Sequence, residues 1–452
     1  MNADEALAIV DRLLGSEKLN NLQELIFLQS WQHMTYQEIA AKYAYSDDYI
    51  RDNGAQLWQL LSRIFNEKIN KTNFKSVIER HLRQQKIVTS NNNQDWEEAI
   101  DVSFFYGREQ ELELLQKWII GDREASTKLC GTSRRHRCRM IGIFGMGGMG
   151  KTSLAAKLAQ QIASEFDFII WRSLRNETSL EKLLTSIVDF IAQQVGIEIS
   201  WPPDIGSRIS LLIEYLRSYR CLIILDNGET ILQSGIICGN YREEYQDYRK
   251  LFQLLGAISV ESCVILTSRE KLQEFSSLEG NATSVRSLQI KGLGAEVSRN
   301  ICQLKGEFRG LEQDWQTLTD NYSGNPLALK IVAATIKDLF DGDVNQFLQQ
   351  EIIFFDDLAD LLEEQFVRLS RLEQEIMYWL AIVREPISLQ KLQQDLLSSF
   401  PPKKLIEAVK SLIRRSLIEN TATGFTQQPI FREYLLIRQS EKIAAELEIE
   451  CC

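Results

Sequence analysis

Histidine is nearly absent from this sequence: three occur in 452 residues, His33, His81 and His136, and none follows position 136. A Ser-His-Asp triad or an HExxH zinc site is therefore excluded beyond that point. Long apolar runs are missing too. No uncharged stretch approaches the ~20 residues that span a bilayer, and the N-terminus MNADEALAIVD is acidic where a signal peptide is basic. The expectation is a cytoplasmic protein with no membrane span. Positive charge is not in excess either: 51 Lys+Arg stand against 62 Asp+Glu, a net charge of -11. A surface that binds nucleic acid as a whole is disfavoured by that balance. The eight cysteines are scattered. Cys221 in CLIILD and Cys263 in SCVILTS read as reduced core thiols rather than a disulfide framework, and the terminal Cys451-Cys452 pair is not a CaaX box. Cys130, His136 and Cys138 share the basic stretch CGTSRRHRCR, which reads as an exposed insertion and not as a metal set. No internal repeat of ~20 to 50 residues is visible, so no solenoid or propeller is expected within the chain.

What is present is a globular composition, 44% hydrophobic and 25% charged, long enough for two to four domains. Residues 1–90 carry apolar positions at helical spacing, at Leu25, Ile26 and Leu28 and again at Leu57, Leu60, Leu61 and Ile64. Between them, MTYQEIAAKYAYSDDYIRDNGAQLWQLLS resembles a helix-turn-helix with Ser46 as the N-cap of its second helix. A polar stretch around SNNNQDWEEA reads as a linker, placed at 91–104. Beyond it, apolar strands at Met140–Phe144, Phe168–Leu174, Cys221–Asp226, Cys263–Thr267 and Val285–Ile290 alternate with helices, which predicts a doubly wound parallel sheet. From about 292 to 440 helical periodicity takes over, apart from a hairpin expected around Ser416–Thr426.

The segment RMIGIFGMGGMGKTS contains G-x-x-x-x-G-K-[ST] between a strand and a helix. Gly145, Met146, Gly147, Gly148, Met149 and Gly150 form the loop whose backbone N–H groups converge on phosphate oxygens, and Ser153 follows in the first turn of the helix. Lys151 is expected to neutralise the β- and γ-phosphates and Thr152 to ligate Mg²⁺. The strand CLIILD delivers Asp226 to the same metal. The next position, where many NTPases carry a second acid, is Asn227, and an amide cannot act as a base. Losing general-base help costs ~10² to 10⁴ in rate, so hydrolysis should be slow unless Glu229 or another group substitutes. In VILTSRE, Arg269 ends its strand where a guanidinium can reach a γ-phosphate. Lys151, Asp226 and Arg269 are thus the candidates for whatever catalysis occurs, with ATP or ADP and Mg²⁺ as the ligands.

FYGREQEL at 105–112, GMGGMGKT at 145–152, FIIWRSL at 168–174, LIILDN at 222–227 with LTSRE at 266–270, and GNPLAL at 324–329 occur in one order. In that order they resemble the NB-ARC signal-transduction ATPases of the STAND class. The wording of WRSLRN, SCVILTSRE and GNPLALKI is most similar to bacterial, particularly cyanobacterial, members that carry C-terminal β-propeller repeats and a helix-turn-helix at the N-terminus. The resemblance implies a P-loop nucleotide-binding domain at 105–291, a helical subdomain at 292–355, a winged-helix subdomain at 356–440 and a tail at 441–452. It implies a signalling, regulatory or defence switch, closed with ADP and opened by ATP, that self-associates and works with a protein effector or sensor. It also implies that Arg108 lies beside the adenine and ribose and that Pro326 packs near the nucleotide.

Two departures stand out. The family's Met-His-Asp motif, whose His contacts the ADP β-phosphate, corresponds to Gln427-Gln428-Pro429, so an ADP lock here is weaker or uses Gln428. The chain also stops at Cys452, where relatives continue into sensor repeats. As an alternative function, an ATP-regulated transcription factor could use the basic run Lys403, Lys404, Lys410, Arg414 and Arg415, although the preferred reading of such a run is a solvated or intramolecular face. The N-terminal candidate recognition segment, Asp47-Asp48-Tyr49-Ile50-Arg51-Asp52, has the wrong charge for DNA, which makes it a protein-interaction module and DNA an unlikely partner.

Overall fold

The strand runs MIGIF, CLIILD and CVILTS have no polar alternation, and each is buried along its whole length. Strands covered on both faces take this pattern. The computed structural model describes residues 6–7, 10, 19–32, 34–43, 45–65, 67–78, 93–121, 137–237, 239–280, 283–351, 358–396 and 400–450. It divides into two compact units, residues 1–93 and 94–452.

In the first unit α1 (Asn21–Trp31), α2 (Tyr36–Tyr43) and α3 (Asp47–Ile64) pack around Ile26, Phe27, Ile39, Ile50, Leu57 and Leu61. Asn20 and Gln23 cap α1 reciprocally, and Ser46 Oγ accepts the Tyr49 N–H at 3.3 Å to start α3. Gly54 lets α2 and α3 meet: a Cβ there would lie 2.7 Å from Tyr36 Oη, which accepts the Trp58 indole N–H at 2.7 Å. The expected helix-turn-helix is formed by α2 and α3. On its exposed face Arg51 pairs with Asp47 at 2.9 Å.

The second unit opens with β1 (Gln94–Asp95), α4 (Glu109–Ile120), β2 (Met140–Phe144), α5 (Lys151–Gln161) and β3 (Phe168–Ser173). It continues with α6 (Leu180–Val195), α7 (Ile205–Ser218), β4 (Cys221–Asp226), α8 (Asp247–Ala257), β5 (Cys263–Ser268), α9 (Gln273–Leu278) and β6 (Val285–Gln289). The six strands are parallel in the order β1-β3-β4-β5-β2-β6. Their register aligns Phe144 with Ser268 and Gln289, and Ser173 with Asp226, so the carboxyl ends share one edge of the sheet. That edge is where open α/β sheets bind ligands.

Four helices follow, α10 (Ala295–Gln303), α11 (Glu312–Asn321), α12 (Pro326–Phe340) and α13 (Val344–Leu348). The C-terminal module comprises α14 (Ala359–Phe366), α15 (Arg371–Val383), α16 (Leu389–Leu396), α17 (Pro402–Arg414), β7 (Ile418–Thr421), β8 (Gly424–Gln427) and α18 (Pro429–Glu450). Helices α15 to α17 are followed by the antiparallel β7–β8 hairpin.

Three local expectations need correction. Gln94–Asp95, inside the stretch read as linker, pairs with Ile169–Ile170 as an edge strand, and Asp95 holds Arg172 at 2.7 Å. Residues 441–450 continue α18 rather than forming a separate tail. Cys138 does not sit in an exposed insertion: it is buried in the core, and burial pushes its thiol up to about 11. Cys130 and His136 lie outside the described residues, as do His33, His81 and Cys451-Cys452. Cys221 and Cys263 are free and buried.

Candidate functional site

The loop between β2 and α5 is shaped by glycines at positive φ, Gly148 at +78° and Gly150 at +86°. A Cβ on Gly148 would lie 2.6 Å from Asn325 Oδ1, whereas nothing stands within 4 Å of the corresponding point on Gly150. One side of the cradle is therefore packed and the other open. Helix α5 begins at Lys151 with no side chain capping it, leaving its N-terminal N–H groups and dipole to an anion. Lys151 Nζ donates to the carbonyls of Gly145 at 2.8 Å and Met146 at 3.0 Å. Burial pushes its pKa down to about 8, against the opposing pull of Glu229 and Asp226. Met146 and Met149 contribute backbone to the loop and bury their side chains in the core. Ser153 is half-buried in the first turn of α5.

Across the cradle, the Thr152 hydroxyl donates to Asp226 Oδ1 at 2.9 Å, and the Thr267 hydroxyl donates to the same oxygen. Burial raises the Asp226 carboxyl above its usual range, partly offset by these two hydroxyls. Asn227 takes a left-handed conformation, φ +64°, which Asn tolerates better than most residues. Its N–H reaches Thr267 Oγ1 at 3.2 Å, while its own Oδ1 is buried without a partner. Glu229 is buried, which disfavours its charge, yet Lys151 and Arg269 outweigh this and hold its pKa below the usual value. Both of its oxygens face Arg269, one accepting the backbone N–H at 3.1 Å and the other 3.3 Å from Nε. Arg269 Nη1 extends to Glu364 on α14 at 2.6 Å.

Arg108, in a left-handed conformation at the N-cap of α4, ties its guanidinium to Glu111 at 3.0 Å and to the Met149 carbonyl at 3.2 Å. It thus joins the segment FYGRE to the phosphate loop. Pro326 is the first residue of α12. The residue before it does more: Asn325 caps α12 and donates its amide to the Gly147 carbonyl at 2.9 Å. Gln428 lines a cavity of ≈210 Å³ together with Met146, Met149, Ile290 and Ser416, and its Oε1 is buried with no donor. Asn325, Thr267, Glu364 and Gln365 were not anticipated. Asn325 had a readable signal, an N-cap residue before a helix-initiating proline; the α14 pair had none.

This donor set fits a nucleotide with magnesium. The glycine cradle is open at Gly150, Gln428 has an oxygen with no partner among the described residues and lines a cavity with Met146 and Met149, and Thr152 and Asp226 offer hard oxygens already paired. Among the described residues no three His, Cys, Asp or Glu side chains converge on a metal site, so phosphate and water oxygens would complete the magnesium shell.

Comparison with known proteins agrees with this geometry. Residues 124–306 match the NB-ARC domain model, and residues 1–81 match the model described as the vWA-MoxR associated protein N-terminal HTH. An uncharacterised WD repeat-containing protein of Nostoc sp. is 46% identical over 377 residues, covering 81% of this chain and 29% of that protein. A probable disease resistance protein of Arabidopsis thaliana is 26% identical over 285 residues, covering 60% of this chain and 14% of that one. A STAND protein with a tetratricopeptide repeat sensor from Pyrococcus horikoshii is 19% identical with a TM-score of 0.37, over 75% of this chain and 44% of that one. The chain thus spans less than a third of the length of either curated relative. It carries an NB-ARC domain behind an N-terminal helix-turn-helix domain, and by that domain belongs with the NB-ARC proteins.

Proposed function

We propose that this chain is a nucleotide-operated switch for signalling, regulation or defence, closed when it holds ADP and opened by ATP, with self-association as the response. The observation that carries this reading is the convergence of three parts of the fold on the phosphate loop. Asn325 at the head of α12 holds the Gly147 carbonyl, Gln365 on α14 accepts the Gly147 N–H at 3.2 Å, and Glu364 holds Arg269. A ligand in the cradle therefore bears directly on the helical subdomain at 292–355 and the winged-helix subdomain at 356–440.

In this reading Lys151 and the N-terminus of α5 bind the phosphates, Arg269 reads the terminal one, and Arg108 and Gln428 border the rest of the nucleotide. Thr152 and Asp226 would hold a magnesium ion, which would supply charge neutralisation at the phosphates. Turnover is slow, because Asn227 cannot take a proton and both Glu229 oxygens are engaged by Arg269. The protein works in the cytoplasm with a protein effector or sensor. No helix among the described residues is long and apolar enough to cross a membrane. A DNA-binding role for α17 is weakened by Arg415, one of its five expected cations, which is buried against Glu270 at 2.6 Å.

Calorimetry tests the site. The chain should bind ADP and a non-hydrolysable ATP analogue, and Lys151→Ala should weaken both by at least ~30-fold, since a hydrogen bond to a charged group is worth about 2 kcal/mol. Unchanged affinity in the variant would refute the assignment of the cradle.

A further inference from the structure

Two consecutive side chains of α14 occupy groups that a phosphate would use. Gln365 is buried, its Oε1 accepts the Gly147 N–H at 3.2 Å, and its Nε2 is anchored to the Leu361 carbonyl at 3.0 Å. Its neighbour Glu364 accepts Arg269 Nη1 at 2.6 Å. The two contacts sit side by side: a Cβ built on Gly147 would lie 3.2 Å from both Gln365 Nε2 and Leu361 Cδ1, and 3.4 Å from Arg269 Cζ. The loop N–H and the guanidinium thus point into one small space, and α14 supplies an acceptor to each.

We propose that Glu364 and Gln365 are the specificity-determining pair by which this chain tells a nucleoside triphosphate from a diphosphate, an inference that rests on the nucleotide-switch reading above. A terminal phosphate placed beside Arg269 and Gly147 brings anionic oxygens, which are stronger acceptors than a neutral amide carbonyl. It takes the Gly147 N–H from Gln365 and the guanidinium from Glu364, and its charge repels the Glu364 carboxylate. A diphosphate has no group in that space, so both α14 contacts persist alongside it. The chemistry of the pair suits displacement. Gln365 carries no charge to be stranded when it leaves, and the Glu364 side chain is 62% exposed, so water can resolvate it. Triphosphate binding therefore works against the α14 contacts, and the cost of breaking them appears as a lower affinity for the triphosphate than the loop alone would show.

The test is the ratio of affinities for ADP and a non-hydrolysable ATP analogue, measured on the full chain with magnesium. Glu364→Gln keeps the size of an exposed side chain and removes its charge; Gln365→Ala removes the acceptor on the loop. Each should tighten analogue binding by about three- to tenfold and leave ADP within twofold, and because the two contacts adjoin, the double variant should differ from the product of the two. Equal shifts for both nucleotides in either variant, the mark of a merely structural role, would overturn the proposal, as would unchanged affinities for both. If the unsubstituted chain bound neither nucleotide, the switch reading itself would fall and this inference with it. A wild-type chain that binds both, with variants that do not alter the ratio, removes the α14 pair alone.

Discussion

At the scale of single residues, Lys151 makes the sharpest statement about solution behaviour. Its ammonium is buried against the Gly145 and Met146 carbonyls, and that burial lowers its pKa to about 8. An anionic phosphate favours the protonated form, so binding must take up a proton wherever free Lys151 has lost one. Nucleotide affinity should therefore be flat below pH about 8 and fall above it, approaching tenfold per unit. Proton uptake measured by calorimetry in buffers of different ionisation enthalpy checks this. Affinity that is level from pH 7 to 9.5 would contradict it. The same lowered value has the opposite consequence for the fold. The unfolded chain holds this proton up to about pH 10.5 and the folded one only to about pH 8, so this group's burial costs stability below pH 8 and the cost is relieved on going upward. Lys151, Thr152 and Asp226 were legible because their roles depend on local spacing within a strand, loop and helix. Gln365 and Glu364 were not, because their partners lie 218 and 95 positions away and nothing in DLLEEQF distinguishes them from any polar helix face.

At the scale of elements, the parallel strands were readable to within a residue because burial on both faces leaves uninterrupted apolar runs. Edges were not. Gln94–Asp95 is too short and polar to look like a strand, and it is held by its ladder with β3 and by Arg172. The basic run from Lys403 to Arg415, expected to be a solvated or intramolecular face, is intramolecular at its last residue, since Arg415 is buried just beyond the end of α17. Arg415 Nη1 lies 2.6 Å from Glu270, its Nε lies 3.3 Å from Glu373, and its other Nη donates to the Ile236 carbonyl at 2.7 Å. Arg368 reaches Glu270 at 2.6 Å as well, and Ser411 donates to Glu373. Glu270 immediately follows Arg269, so one strand end carries both the guanidinium proposed to read the terminal phosphate and the anchor for the C-terminal module. Arg415→Met should destabilise the second unit by about 3 kcal/mol, the low end for breaking a buried pair because Arg368 remains on Glu270. That corresponds to a thermal midpoint lowered by on the order of 4 °C, with partial recovery in Arg415→Lys. A midpoint within 1 °C of the original, on the order of the shift for under 1 kcal/mol, would mean the network contributes nothing net.

At the scale of the whole molecule, the proposed switch is a sheet edge that binds a nucleotide and two flanking modules whose contacts depend on which nucleotide is there. A ligand shifts an equilibrium only through its difference in affinity for the two states, and ADP and ATP differ only in the terminal phosphate. Arg269 and the α14 pair are the groups placed to read that difference. Gln428, where the related motif has histidine, offers a neutral hydrogen bond in place of a charged one, a difference of ~1 kcal/mol or about fivefold in population. The resting state should accordingly be loose enough for the nucleotide alone to act. The most direct measurement is the solution mass of the purified chain with magnesium and either ADP or a non-hydrolysable ATP analogue. The account predicts the 52.1 kDa monomer with ADP and a multiple of it with the analogue, an increase abolished by Arg269→Ala. The same monomeric mass with both nucleotides, at concentrations where both are bound, would contradict it.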